Sequence, residues 1–160
     1  MPADDIQEAT LCFPVDPAAG EVLLIRKKRG VGAGYYNGPG GKLEAGETPR
    51  EAVKREVNEE VKLAVHEVDK YGELRFVFGE EPFMFVHVYR TDSFTGPARE
   101  TPEADPTWFA IESIPYDEMW EDDRYWLPLL FDGEQFKGTF RFDAEGEELL
   151  DHDLTTDVSF

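Results

Sequence analysis

Alternating apolar and polar positions along the chain predict a series of β-strands on both sides of one amphipathic helix. Segments rich in glycine, proline and acidic residues separate the apolar runs and are typical of turns. The last two strands form a predicted hairpin with its turn near Gly146. The predicted strands are residues 9–13, 22–27, 64–78, 83–91, 107–111, 136–142 and 148–154.

The central helix has a well-marked start. Thr48 is a good N-cap, Pro49 suits the first helical position, and Glu51 follows the cap by three residues, as a capping box requires. Val53 and Val57 then recur at helical spacing and can face a core. A second helix is predicted within residues 116–130, after a glycine-punctuated loop over residues 29–41 and most of the strands. This order of elements predicts a mixed α/β (α+β) fold.

The same helix carries crowded carboxylates. Glu56 and Glu60 are four residues apart and Glu59 follows Glu56 by three, so all three project from neighbouring turns. Like charges this close destabilise a helix. The arrangement is explained if a hard divalent cation such as Mg²⁺ binds among them, because that ion takes oxygen ligands. The alternative is an exposed acidic helix in an acidic protein.

Length and charge narrow the class of protein. A chain of 160 residues predicts a single domain, residues 1–160, that can bury a substantial core. Asp and Glu number 35 against 16 Lys and Arg, a net charge of -19, which disfavours polymeric nucleic acid as a partner. The acid is spread over the whole chain, which suits either an extreme halophile's cytosol or an ordinary acidic protein.

Other features predict a cytoplasmic monomer without a membrane partner. The N-terminus has no cleavable signal pattern and no apolar run approaches membrane length. Cys12 is the single cysteine, so a disulfide within the chain is excluded and a buried thiol is predicted. His66, His87 and His152 lack metal-ligand spacing, and we interpret them as structural.

Residues 41–63 resemble the Nudix box, G-x5-E-x7-R-E-U-x-E-E-x-G-U, in which U is an aliphatic residue. The matching residues are Gly41, Glu47, Arg55, Glu56, Val57, Glu59, Glu60 and Leu63. The late glycine of the pattern, which ends the helix with a positive φ, is Lys62 here, and lysine suits that conformation poorly. The resemblance implies an α-β-α sandwich around a mixed sheet.

The similarity extends beyond the box. Residues 27–42, 117–130 and 136–142 resemble the members of this family that hydrolyse oxidised purine nucleoside triphosphates, the MutT homologues of mammals. That resemblance implies a base-binding pocket formed by Asn37, Trp120, Asp122, Asp123, Thr10, Lys27, Phe76, Phe78 and Met84. Val31 and Tyr36 stand where those relatives have larger aromatics, which predicts a looser pocket mouth and some drift in base preference.

The chemistry of a purine supports this base site independently. Trp120 offers an aromatic platform for a flat π face, and the Asn37 amide can both donate and accept. Asp122 and Asp123 accept hydrogen bonds when ionised, and one of them can hold a proton if their charges crowd in a cleft. The alternatives are a solvated or helix-capping acidic pair for these aspartates, and core packing for Trp120 and Trp126, which we favour for Trp126.

The reaction implied is Mg²⁺-dependent hydrolysis of oxidised purine (deoxy)nucleoside triphosphates such as 8-oxo-dGTP to the monophosphate and pyrophosphate, with Mn²⁺ as the alternative ion. The resemblance assigns the metal to Glu56, Glu59, Glu60, the Gly41 carbonyl and Glu103. Arg55 orients these carboxylates through charge-assisted hydrogen bonds. The sequence does not say which glutamate is the general base. Two alternatives stay open: another nucleotide diphosphate derivative, an ordinary (d)NTP or ADP-ribose, as substrate, and a non-catalytic nucleotide-binding module.

Overall fold

The computed structural model describes residues 6–29 and 33–160, and in that part of the chain eight strands form one sheet that is accompanied by two α-helices. The helices are α1 (Pro49–Val61) and α2 (Asp123–Phe131). The strands are β1 (Gln7–Asp16), β2 (Glu21–Lys27), β3 (Tyr36–Asn37), β4 (Ala64–Phe78), β5 (Glu81–Thr95), β6 (Ala104–Ala110), β7 (Phe136–Phe142) and β8 (Leu149–Thr155).

The sheet is mixed, as predicted. Its strand order is β3-β2-β1-β5-β4-β7-β8. Strand β6 lies outside this order and pairs with β2 along the whole length of that strand. Strands β1 and β5 run parallel, as do β4 and β7, whereas the other pairs are antiparallel. Only Val15 and Asp16 of β1 pair with β2, so the two halves of the sheet diverge along the rest of β1.

The helices cover opposite faces of the sheet. Successive side chains of a strand point to opposite faces, and Cys12 and Phe13 of β1 accordingly belong to two separate cores. Val57 of α1 packs in the core that contains Cys12, whereas Trp126 of α2 packs in the core that contains Phe13. This arrangement confirms the α-β-α sandwich, the buried Cys12 thiol and the core position of Trp126.

The second helix predicted within residues 116–130 is confirmed: α2 begins at Asp123, after a 3₁₀ turn at Tyr116–Glu118. Two other details of the predicted elements are wrong. The loop over residues 29–41 contains β3, which pairs with Arg26 and Ile25. Pro82, which belongs to the predicted turn before residue 83, pairs with Val77 at an irregular position of the β4–β5 ladder, a place where a strand tolerates proline.

Both ends of α1 bear out their sequence signals. Thr48 Oγ1 accepts the Glu51 amide at 3.2 Å and Glu51 Oε1 accepts the Thr48 amide at 2.9 Å, which is the predicted capping box. At the other end Lys62 adopts φ 66° and donates its amide to the Asn58 carbonyl at 2.9 Å. The helix therefore ends where the Nudix pattern has glycine, although a lysine takes the left-handed position.

Lys62→Gly should stabilise the protein by roughly 0.5–1 kcal/mol, because it removes a Cβ from the left-handed region. Urea unfolding measures the change. Lys54→Gly, in the interior of the same helix, is the matched control and should cost about 1 kcal/mol. A loss of stability in both variants would show that the lysine is not strained at this position.

Candidate active site

Arg55 ties the start of α1 to its carboxylates. Its Nε and Nη2 donate to Glu47 at 2.6 and 2.9 Å, which is a bidentate pair. Its Nη1 donates to Glu56 at 2.7 Å and to Glu59 at 3.1 Å. The pKa of Glu47 is lowered to about 2, chiefly by the hydrogen bond from Arg55. One guanidinium thus orients three carboxylates of the Nudix pattern.

Glu60 is the most buried of the α1 carboxylates. Glu60 is only 4% exposed, and its Oε1 accepts a hydrogen bond from the Gly40 amide at 2.7 Å. The pKa of Glu60 is raised to about 7, chiefly by burial and also by the charges of Glu56 and Glu103, whereas the Gly40 hydrogen bond and Lys27 act in the opposite direction. This carboxylate therefore lies in a place that favours an additional positive charge.

The Gly40–Gly41 turn fits closely between β1 and α1. A Cβ at Gly41 would lie 2.2 Å from Glu56 Oε2, so any other residue here would displace the Glu56 carboxylate. The Gly41 carbonyl accepts hydrogen bonds from the Thr10 amide at 2.8 Å and from Thr10 Oγ1 at 3.2 Å. The Gly41 carbonyl stays a predicted metal ligand, and an ion bound to it would compete with the Thr10 hydroxyl.

Glu103 approaches the helix from the segment before β6. Its carbonyl accepts the Lys28 amide at 3.0 Å, and its carboxylate lies 3.8 Å from Arg29 Nη2. The charge of Glu103 contributes to the raised pKa of both Glu56 and Glu60. The fold thus brings Glu103 near the carboxylates of α1.

These carboxylates fit a hard divalent cation. Burial raises the pKa of Glu56 as well as that of Glu60, and each is repelled by Glu103, so a bound cation would relieve both effects. Within residues 6–29 and 33–160 no three acidic, histidine or cysteine side chains form a ready-made metal cage. Arg55 and the Gly40 amide hold the carboxylates instead, and a cation would compete with these contacts.

A cavity of about 300 Å³ adjoins these carboxylates and has Glu60 in its wall. It is a size suited to part of a small ligand. All of the residues that the resemblance assigned to the base pocket line this one cavity: Thr10, Lys27, Asn37, Phe76, Phe78, Met84, Trp120, Asp122 and Asp123. The Thr10 hydroxyl, however, already bonds to Gly41, so it positions that turn as well as lining the pocket.

Trp120 forms part of an aromatic wall. Its ring lies 6.4 Å from that of Phe78 in a stacked arrangement and 5.7 Å from that of Phe142 in an edge-to-face arrangement. The exposed Tyr35 ring lies 5.6 Å from Trp120 on the outside. A half-buried indole held on several sides offers a rigid face for stacking.

The aspartates at the start of α2 are buried. Asp122 is 2% and Asp123 is 3% exposed, and Asp122 makes no cap hydrogen bond although it occupies the N-cap position. The alternative of a solvated or helix-capping pair is therefore wrong. Asp122 Oδ2 accepts the Trp126 indole N–H at 2.7 Å, whereas Asp123 Oδ2 has no hydrogen-bond partner among the described residues. A buried oxygen without a partner in a cavity wall is suited to a ligand.

Burial favours the protonated form of both aspartates. It raises the pKa of Asp122 to about 6, against the hydrogen bond from Trp126. The pKa of Asp123 is raised well above its usual range, first by burial and then by the charge of Asp122. Two adjacent acids in such a place titrate as a pair, and burial favours a proton held by the pair that can be donated to a ligand.

The raised pKa values predict a pH-dependent stability. The folded state holds protons that the unfolded state releases, so wild-type stability falls as pH rises from about 4 through about 6. Asp122→Asn removes the Asp122 share of this penalty and should raise Tm relative to wild type by more at pH 8 than at pH 4. The full difference corresponds to a few kcal/mol at most, on the order of 3. Equal Tm differences at the two pH values would contradict a charged buried pair.

Several wall residues escaped the sequence analysis. Phe83, Phe142 and Trp126 line the cavity, and Trp126 also orients Asp122. Trp126 carried a weak signal in the sequence, because it stands one helical turn after Asp122. Tyr36 lies outside the cavity lining and packs edge-to-face on Phe109 at 5.0 Å, so its smaller ring does not widen the mouth directly. Val31 lies outside the described residues.

The histidines make ordinary structural contacts. His87 is buried and lies 2.8 Å from Glu8 Oε1 and 3.0 Å from Lys70 Nζ. His66 lies 3.1 Å from the Thr95 hydroxyl, and His152 stacks on Phe140 at 5.3 Å. None of these rings lines the cavity.

In the described part of the chain, neither helix is long and apolar enough to cross a membrane.

Comparisons with known proteins agree with this geometry. The family model that describes the NUDIX domain matches residues 5–130. An oxidized purine nucleoside triphosphate hydrolase of Danio rerio is 43% identical over 146 residues, which make up 91% of this chain and 92% of the relative. The protein of the same description from Mus musculus is 41% identical over 152 residues, which make up 94% of this chain and 96% of the relative.

A solved structure shares the fold over nearly the same extent. The crystal structure of a mutator MutT protein from Bacillus halodurans superposes with a TM-score of 0.82 at 28% identity and covers 93% of this chain and 97% of its own. The family model spans both the capped helix with its carboxylates and the aspartate-lined cavity beside it. The chain therefore belongs to the Nudix family of hydrolases.

Proposed function

We propose that this enzyme hydrolyses oxidised purine (deoxy)nucleoside triphosphates such as 8-oxo-dGTP to the nucleoside monophosphate and pyrophosphate, with Mg²⁺ or Mn²⁺ as cofactor, and thereby cleans the nucleotide pool. One observation carries the proposal. Glu60 lines the same cavity as the buried aspartates, so a base held by the aspartates has its phosphates directed at the carboxylates of α1. The names of the 41–43% identical relatives support the same substrate.

In the base half of the cavity, Trp120 stacks on the purine, and Asn37, Asp122 and Asp123 bind its polar edge. The pair of aspartates supplies acceptors together with a donor, because burial keeps a proton on it. Lys27, Phe76, Phe78, Met84 and Thr10 complete the walls. The apolar surroundings strengthen each polar contact to the base.

In the phosphate half, Glu56, Glu59, Glu60 and Glu103 hold the metal, and Arg55 keeps the α1 carboxylates in place. When bound, Mg²⁺ neutralises phosphate charge and acidifies the attacking water. Until then the Arg55 guanidinium screens Glu56 and Glu59, and the Gly40 amide holds Glu60. The Gly41 carbonyl completes this set, and an ion bound to it competes with the Thr10 hydroxyl.

A nucleotide panel tests this proposal. Purified enzyme with Mg²⁺ is assayed on 8-oxo-dGTP, 2-oxo-dATP, dGTP, dATP and ADP-ribose, with products separated by ion-exchange chromatography. We expect the highest kcat/KM for an oxidised purine, and monophosphate with pyrophosphate in equal amounts. Preference for ADP-ribose or for dGTP would overturn the substrate assignment. Release of nucleoside diphosphate with inorganic phosphate would overturn the proposed cleavage to monophosphate and pyrophosphate.

The chain is proposed to act as a cytoplasmic monomer of one domain, and its acidity to be an adaptation to concentrated salt. With a net charge of -19, Tm should then rise steeply with KCl from dilute buffer. Screening of self-repulsion should be largely complete before about 1 M, where the Debye length is about 3 Å. Differential scanning calorimetry measures the effect, and a Tm indifferent to KCl would contradict the adaptation.

A further inference from the structure

The hydroxyl of Thr101 bridges two residues whose carboxylates belong to the site. Thr101 lies between β5 and β6 and is 8% exposed. Its Oγ1 donates to the Glu60 carbonyl at 2.6 Å, across 41 residues of sequence, and accepts the Glu103 amide at 3.2 Å. A single oxygen atom therefore fixes the backbone of Glu103 relative to that of Glu60.

The surrounding contacts make this bridge specific. The Glu60 carbonyl belongs to the last turn of α1, whose carbonyls lack donors within the helix. The Arg99 amide donates to the neighbouring Val61 carbonyl at 2.8 Å, and the Lys28 amide donates to the Glu103 carbonyl at 3.0 Å. The Arg99 bond places the segment before β6 beside α1, the Lys28 bond joins it to the end of β2, and the Thr101 side chain joins Glu60 to Glu103 directly.

We propose that Thr101 is a positioning residue of the active site, whose hydroxyl holds Glu103 at the distance from the α1 carboxylates that a divalent cation requires. The inference rests on the proposed function in taking these carboxylates as the metal site. The Glu103 side chain is 46% exposed and stands on a loop, so without this bond its carboxylate would lose more conformational freedom on binding a cation. Partners that orient metal ligands commonly affect affinity in this way.

A second threonine provides a matched control. Thr91 Oγ1 donates to the Glu67 carbonyl and accepts the Ser93 amide at 3.0 Å, so it repeats the Thr101 pattern of one distant carbonyl and the amide two residues on. Thr91 is 1% exposed and does not line the cavity. Thr91→Val and Thr101→Val therefore each remove one hydrogen bond to a distant carbonyl and one from the amide two residues on. Only the bonds of Thr101 involve site residues.

The experiment measures Mn²⁺ binding by electron paramagnetic resonance, without nucleotide, in Thr101→Val, Thr101→Ser, Thr91→Val and wild type. We expect Thr101→Val to weaken Mn²⁺ binding by about 10-fold or more. Thr101→Ser, which keeps the hydroxyl, and Thr91→Val should both stay near wild type. The Mg²⁺ concentration for half-maximal hydrolysis of 8-oxo-dGTP should follow the same order. Equal Mn²⁺ affinity in Thr101→Val and Thr91→Val would show that Thr101 only caps the helix and would overturn the proposal.

A double-mutant cycle tests whether the effect passes through Glu103. In a Glu103→Gln background, Thr101→Val should weaken Mn²⁺ binding little further, whereas independent effects would add. Additivity overturns the proposal. Thr101→Ala, which removes the hydroxyl without placing a methyl group against the Glu60 carbonyl, replaces Thr101→Val if that variant does not fold. Because Mn²⁺ binding is read without substrate, failure of wild type on the nucleotide panel would reject the proposed function and leave this test intact.

Discussion

Glu59→Gln and Glu60→Gln should each lower kcat for 8-oxo-dGTP by about a hundredfold or more, because each removes a carboxylate ligand of the metal at the reacting phosphate. Both side chains keep their size, and the amide oxygen of a glutamine at position 60 can still accept the Gly40 amide that Glu60 now accepts at 2.7 Å. The fold should therefore survive. Removing the buried charge at position 60, where the pKa of Glu60 is raised to about 7, should even increase Tm at pH 8.

Steady-state kinetics at saturating Mg²⁺ with Tm measured in parallel checks this expectation. Glu67→Gln is the matched control: Glu67 is an exposed residue of β4 that does not line the cavity, so removing its carboxylate should leave kcat unchanged. Turnover near wild type in Glu59→Gln or Glu60→Gln would remove that residue from the metal site. A large loss of kcat in Glu67→Gln would point instead to a general effect of net charge.

Asp122→Asn and Asp123→Asn should change the preference among purines as well as lower the rates. An oxidised guanine and an oxidised adenine differ in their donor and acceptor patterns, and a protonated carboxyl donates where an ionised one accepts only. Asp123 Oδ2 has no partner within residues 6–29 and 33–160, whereas Asp122 Oδ2 accepts from Trp126. An asparagine fixes one donor and one acceptor and so loses the choice of proton position that the pair has. Each lost bond to a charged group should cost roughly 1.5–3 kcal/mol.

The measurement is kcat/KM for 8-oxo-dGTP, 2-oxo-dATP and dGTP in wild type and both variants. Asp132→Asn, at the exposed C-terminal end of the same helix, also replaces a carboxylate and should not change the preference among the three substrates. If Asp122→Asn and Asp123→Asn reduce kcat/KM for all three substrates by the same factor, these aspartates do not recognise the base. The oxidised-purine assignment would then rest on the relatives alone.

The geometry also links base binding to the carboxylates. Thr10 lines the base cavity and bonds to Gly41, and the adjacent Gly40 amide holds Glu60. Thr10 and Glu60 are therefore connected through the Gly40–Gly41 turn by a short chain of hydrogen bonds. This connection reaches the Glu60 side chain, whereas the Thr101 bridge reaches its carbonyl, so Glu60 is held at both its side chain and its backbone.

Local signals in the sequence determined α1 and its carboxylates. The capping box at Thr48, the valines at helical spacing and the glutamates on neighbouring turns depend on contacts within a few residues, so they are legible without the fold. The Nudix pattern then located the helix end even though Lys62 replaces glycine, because surrounding contacts impose the left-handed conformation there. Strand alternation likewise predicted most of the sheet, including the closing β7–β8 hairpin.

Only the tertiary structure decided what surrounds these residues. The burial of Asp122 and Asp123 depends on where α2 packs, and composition alone favours a solvated or capping pair in so acidic a chain, although the neighbouring residues favour a base site. The bonds of Thr10 to Gly41 and of Thr101 to Glu60 join residues far apart in sequence. Whether a carbonyl is free for a metal, or a carboxylate keeps its proton, depends on such long-range contacts and on exclusion of water, and neither is encoded in local spacing.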